Sequence, residues 1–160
     1  MANNKLIVRT SVEPQYYVSE SHSGKTYSSF KMDQIGGRLS STMEDTFTNE
    51  KIYKLVGVVD VTGAGAVNNA TTAFNGTATA TGSVPTHVKS FYVKYDSALG
   101  STATVTVTVG SQVHAILSVG ESVVIPLAAS FAVAGCKIHT SEAYAAGTEE
   151  TSVTVVLIGD

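Results

Sequence analysis

Eight consecutive residues, Thr102-Ala103-Thr104-Val105-Thr106-Val107-Thr108-Val109, alternate strictly between threonine and a small or branched apolar side chain. A period of two puts every threonine on one side of an extended chain and every Ala or Val on the other, whereas a helix would scatter both around its axis. The segment therefore reads as a strand with one buried face. A strand cannot cover its own apolar face, so the rest of the chain must supply further strands to pack on it.

It does so from Lys51 onward. Ile52 to Val61 is rich in β-branched residues and sets Tyr53, Leu55, Val59 and Val61 on one face. His87 to Asp96 alternates through Phe91, Val93 and Tyr95. Gln112 to Val119 groups Val113, Ala115, Leu117 and Val119, and Glu121 to Leu127 groups Val123, Ile125 and Leu127. Phe131 to His139 is a weaker candidate, and Thr151 to Ile158 closes the chain. Asp96-Ser97-Ala98-Leu99-Gly100, Gly110-Ser111 and Gly120-Glu121 separate these runs as turns. Short strands at such regular spacing point to an all-β fold. The expectation is an antiparallel β-sandwich, jelly-roll-like or Ig-like, of about seven or eight strands over residues 51–160.

Residues 1–50 have a different character. They hold scattered anchors, Tyr16, Tyr17, Tyr27, Phe30, Ile35, Leu39, Met43 and Phe47, with no continuous pattern. The last three are spaced by four, which fits one or two helical turns. This region reads as an extended N-terminal arm that packs on something outside its own domain. Between Thr62 and Val84 the chain is almost wholly Thr, Ala, Gly, Asn, Ser and Val, with Phe74 as its one large side chain. Such a stretch reads as a surface loop or edge hairpin, or as a segment that a neighbouring subunit orders.

Charge narrows the choice of partner. Charged residues make up 14% of the chain, against about 25% in a typical globular protein. A surface so thin in charge is easier to understand if much of it meets another protein. Residues 1–54 carry seven basic and six acidic side chains, and residues 55–160 carry three and seven. Neither part offers the basic stripe that nucleic-acid binding requires. No run approaches 18 uncharged apolar residues, about the least that a membrane helix needs. The start, Met1-Ala2-Asn3-Asn4-Lys5, has no apolar leader core, so the expected site of synthesis is the cytoplasm.

Residues capable of chemistry do not converge in the sequence. Cys136 sits among apolar neighbours and reads as a small buried hydrophobe rather than a nucleophile. His22, His87, His114 and His139 form no short metal-ligand pair. Gly63-Ala64-Gly65-Ala66-Val67-Asn68 superficially resembles a phosphate loop, but an Asn/Thr-rich stretch follows it where a helix N-terminus would be needed. The carboxylate pairs Glu44-Asp45 and Glu149-Glu150 read as solvated turn residues, since neighbours on a strand point to opposite faces. No catalytic residue, cofactor or metal site is expected. The tyrosines carry more information, because Tyr brings large contact area at low entropy cost. Tyr16, Tyr17, Tyr27, Phe30, Tyr92 and Tyr95 are the candidate interface residues, with Tyr53 and Tyr144 as further anchors. Core and sheet-edge packing is the competing role for Tyr53, Tyr92, Tyr95 and Tyr144.

The run Leu117-Ser118-Val119-Gly120-Glu121-Ser122-Val123-Val124-Ile125-Pro126-Leu127 and the ending Thr151-Ser152-Val153-Thr154-Val155-Val156-Leu157-Ile158-Gly159-Asp160 resemble those of small virion proteins of tailed bacteriophages. The likeness covers roughly residues 86–160 and is one of style and topology. In size, and in joining a β-domain to an arm, the chain is similar to head-decoration (cement) proteins. That resemblance implies a non-enzymatic structural protein of the virion, assembled in the host cytoplasm. It would bind the major capsid protein or other virion subunits, with the arm laid along the shell, as a dimer or trimer. A neck, tail or fibre protein and a carbohydrate- or receptor-binding module are the alternatives; the absence of Trp weighs against the last.

Overall fold

The computed structural model describes strand backbone over residues 4–12, 15–22, 25–32 and 39–47, and full residues over 51–60, 63–68, 73–75, 78–100, 102–128 and 131–160. The chain divides into two units, Met1–Thr46 and Phe47–Asp160. The protein is all-β, and among the described residues there is no α-helix.

In the first unit, β1 (Asn4–Val12) pairs with β4 (Leu39–Phe47). Strands β2 (Gln15–His22) and β3 (Lys25–Met32) form an antiparallel hairpin that sets Tyr17 opposite Phe30. Leu39, Met43 and Phe47 thus lie in a strand, where helical turns were expected. A spacing of four is a multiple of two, so the same pattern serves a strand as well as a helix, and the β-branched Thr42 and Thr46 favour the extended form.

The second unit contains two antiparallel sheets. One has the order β11 (Ser122–Pro126), β8 (Val88–Leu99), β13 (Glu150–Gly159), β5 (Lys51–Val58) and β7 (Thr79–Gly82). The other has the order β10 (Gln112–Leu117), β9 (Val105–Val109), β12 (Cys136–Thr140) and β6 (Gly65–Ala66). The two sheets share one core. Leu55, Phe91, Val93, Tyr95, Val153, Val155 and Leu157 of the first and Val105, Val107 and Ile138 of the second are all fully buried. Burying each such side chain is worth about 1.5–3 kcal/mol, which explains why sequence alternation governs these strands. The C-terminal strand β13 is central, with β5 on one side and β8 on the other.

Most of the expected faces are present. Ala103, Val105, Val107 and Val109 point inward, and Tyr53, Leu55 and Val59 do the same; Val61 lies outside the described residues. Glycines at 100, 110 and 120 hold positive φ angles of 65°, 63° and 86° at the turns, a region that glycine enters without steric cost.

Two features differ from the sequence reading. The first is β10, whose register with β9 shifts between Val113 and Ala115. This bulge inserts His114 and turns Val113 away from Leu117. Val113 is 60% exposed, whereas Leu117 is buried. Val119, expected on the same inner face, is 53% exposed in the following turn. The second is the Thr62–Val84 stretch, which contributes to both sheets through β6 and β7. Its Phe74 is buried and bridges Val59. Gly57 leaves room for this packing, because a Cβ there would lie 3.2 Å from Phe74 Cδ1 and 2.7 Å from Ala78 Cα.

Candidate interaction surface

The inward alternation of the five-stranded sheet leaves a second set of side chains on its outer face, and strand register assigns them to rows. Val124, Tyr92, Val156, Lys54 and Thr81 make one row across the sheet. A second runs through Pro126, Ser90, Ile158 and Ile52, and a third through Ser122, Lys94, Thr154, Val56 and Thr79. A solvated outer face normally alternates to polar residues. Here Val124, Tyr92, Val156 and Ile158 are partly buried, while Ile52 and Val56 are 50% and 38% exposed. The cause is visible in β13, where Val155-Val156-Leu157-Ile158 is apolar on both faces. A continuous apolar run is the mark of a strand covered on both sides, and the core covers only one.

A polar fringe borders this face. Lys94 Nζ lies 3.0 Å from Asp96 Oδ1, and Thr154 Oγ1 donates to Asp96 Oδ2 at 2.6 Å. The hydrogen bond to Asp96, and then its negative charge, hold the Lys94 ammonium above its ordinary pKa. Asp96 is therefore already engaged with Lys94 and Thr154, whereas Lys54 stands exposed in the first row between Val156 and Thr81.

The candidate interface residues fall into different settings. Tyr92 lies on this outer face between Val124 and Val156. Tyr95 is fully buried, and its hydroxyl donates to the Ala103 carbonyl oxygen at 3.2 Å; it fills the competing core role. Tyr53 is likewise in the core, and burial raises its phenol pKa. Tyr144 is partly buried beyond β12. Tyr16, Tyr17, Tyr27 and Phe30 lie in the β2–β3 hairpin, and their side chains fall outside the described residues.

The groups weighed for chemistry are dispersed. Cys136 is buried, and desolvation pushes its thiol up to about 12, so almost no thiolate exists at neutral pH. Gly65–Ala66 is a strand against Lys137 and Ile138 rather than a phosphate loop. Glu150 accepts from the Gly147 amide at 3.0 Å, and Glu121 accepts from the Ser118 amide at 2.7 Å; both tie local turns. Glu44, Asp45 and His22 have side chains outside the described residues. His87 Nδ1 lies 3.7 Å from Asp160 Oδ1, and Lys89 Nζ lies 3.8 Å from Asp160 Oδ2, which fastens the C-terminal end of β13. His139 has a buried Nδ1 with no hydrogen-bond partner. Among the described residues, no three His, Cys, Asp or Glu side chains come together as a metal site, and no helix is long and apolar enough to cross a membrane.

Compared with known proteins, the chain matches no family model, no curated protein and no solved structure. Its functional reading therefore starts from its own surfaces. Alternation with one inward face per strand accounts for the core and leaves the outer rows unspecified. The signal was present in Val155–Ile158, where alternation fails.

Proposed function

We propose that the chain is a non-enzymatic structural protein that binds protein surfaces through the outer face of its five-stranded sheet. The single observation behind this reading is the band formed by Ile52, Val56, Tyr92, Val124, Val156 and Ile158 on a sheet face that its own core does not cover. Exposed contiguous apolar surface on a soluble domain marks an interaction site. Five strands of 4, 5, 8, 10 and 12 residues, at about 4.8 Å spacing and about 3.4 Å per residue, give a face of the same order as the ~800 Å² per partner of a standard interface.

The setting is a bacteriophage virion, on the strength of the likeness of residues 86–160 to small virion proteins. There the chain acts as a capsid decoration protein: a β-sandwich seated on the major capsid protein, with residues 1–50 as an arm along the shell. Burial across adjacent capsid subunits braces them against internal pressure, and many copies act together. A neck, tail or fibre position uses the same surface at a lower copy number.

Quantitative mass spectrometry of purified particles, joined to co-sedimentation of added protein with capsids that lack it, tests this reading. Hundreds of copies, together with binding that Ile52→Lys weakens, are expected. A dozen or fewer copies would move the protein to the neck or tail. Absence from particles, or specific binding on a glycan array without capsid binding, would reject the proposal.

A further inference from the structure

A different surface carries a separate inference, about how the chain meets itself. Among the described residues the most exposed large apolar side chains are Ile116 at 63% and Val113 at 60%, both on β10, followed by Val119 at 53% in the next turn. Strand β10 lies at the edge of the four-stranded sheet and is hydrogen-bonded to β9 on one side only. Its other side presents a row of backbone donors and acceptors, which templates a further strand unless something blunts it.

The other edges of the second unit's two sheets are blunted. Strand β11 ends in Pro126, which has no N–H; β6 is two residues long and β7 four. In contrast, β10 runs for six residues, Gln112-Val113-His114-Ala115-Ile116-Leu117, with no Lys, Arg, Asp, Glu or Pro. A bulge at His114 is its one interruption, and it re-aims the side chains. Val113 pairs with Thr108 and Ile116 with Thr106, so both apolar residues stand on the outer, threonine-lined face.

We propose that β10 pairs antiparallel with β10 of a second copy about a two-fold axis, joining two four-stranded sheets into one. A second copy is the occupant because an antiparallel strand is complementary to itself under that symmetry, so one patch supplies both sides of the contact. The register follows from the side chains. With the axis between His114 and Ala115, Val113 of each copy faces Ile116 of the other, and the two most exposed apolar residues of each chain become cross-strand neighbours. The lack of charge on β10 means that no like-charge pair opposes this pairing. The surface is distinct from the outer face of the five-stranded sheet, and the inference holds whether or not the partner of that face is a capsid.

Sedimentation velocity of the full chain tests the pairing. A dimer is expected at tens of micromolar, the concentration range in which weak interfaces assemble. Val113→Lys and Ile116→Lys place charge on the edge and should raise the dimer Kd about tenfold or more, with an unchanged far-ultraviolet spectrum. Both positions are more than half exposed. Should a lysine variant fail to fold, Val113→Thr and Ile116→Thr make the same comparison with a milder change. Ile52→Lys, on the other sheet, should leave the dimer intact. Register is tested by mixing Val113→Cys chains with Ile116→Cys chains, since directly opposed cross-strand positions suit a disulfide and the native Cys136 is buried. The mixture should cross-link faster than either variant alone. A monomeric wild type, or a dimer indifferent to the β10 variants, would overturn the proposal. Equal cross-linking in the mixture and in the single variants would overturn the register.

Discussion

The two sheets of the second unit share one interior and differ on the outside. Inward, β9 and β13 follow the same rule, with Val105 and Val107 of one and Val153, Val155 and Leu157 of the other fully buried. Outward, the four-stranded sheet carries Thr106, Thr108, Lys137 and His139 across its middle strands, a mostly polar face. The five-stranded sheet instead carries Tyr92, Val156, Ile158, Ile52 and Val56. Since the inner pattern alone suffices to build the core, the outer difference needs another reason. On the four-stranded sheet Thr106, Lys137 and His139 are partly exposed and Thr108 is buried; on the five-stranded sheet the apolar band is what the proposed protein partner would cover.

The comparison breaks most sharply at neighbouring residues of β9. Val107→Asp puts an unpaired charge into the core, at a cost of several kcal/mol, and should abolish soluble expression. Thr106→Asp, one residue away on the outer face, should express and melt within about 1 kcal/mol of the parent. Equal behaviour of the two variants would contradict the assigned faces. In β13 the contrast is smaller. Leu157→Ala should cost about 2–5 kcal/mol in urea unfolding, while Val156→Ala should cost about 1 kcal/mol and act mainly on partner binding.

Alkaline pH sharpens the account of the interior. The Cys136 thiol is raised in the folded chain to about 12 from an ordinary value of 9.0. A raised folded value means that its stabilisation is complete below pH 9 and is lost as pH rises towards 12. Stability should therefore decline through that window, with Tyr53 adding in the same direction above its ordinary value of 10.0. Cys136→Ala should flatten the lower part of the decline. The thiol should also resist a disulfide reagent at pH 8 until the protein unfolds. The smallest effect belongs to the fringe: Asp96→Asn removes the ion pair with the exposed Lys94 and should leave the thermal melt nearly unchanged.

How much of this was legible in the sequence depends on how far each signal acts. Alternation is local, so the strands at Thr102–Val109 and Thr151–Ile158 and the inward faces of Phe91, Val93 and Ile125 could be read directly. The β10 bulge could not, because a single inserted residue reverses every face after it, and nothing in Gln112–Leu117 distinguishes the bulged strand from a regular one. The Thr62–Val84 stretch was obscure for the opposite reason. Its small side chains carry no periodic signal, and Phe74 finds the core through the space left by Gly57. Tyr95 and Tyr92 look alike in sequence, three residues apart on one strand. An odd spacing places them on opposite faces, and the hydrogen bond to Ala103 commits Tyr95 to the interior. The apolar band emerges only when β5, β8, β11 and β13 are set side by side, since no single strand contains it.

The most direct test is a cryo-microscopic map of the particle proposed to carry this chain, at a resolution that orients the two sheets. The map should show the outer face of the five-stranded sheet seated on a neighbouring protein, with Ile52, Tyr92 and Val156 sealed from solvent and Thr106 of the other sheet left accessible to it. A particle without the chain, or one in which those three residues face bulk water, would contradict it.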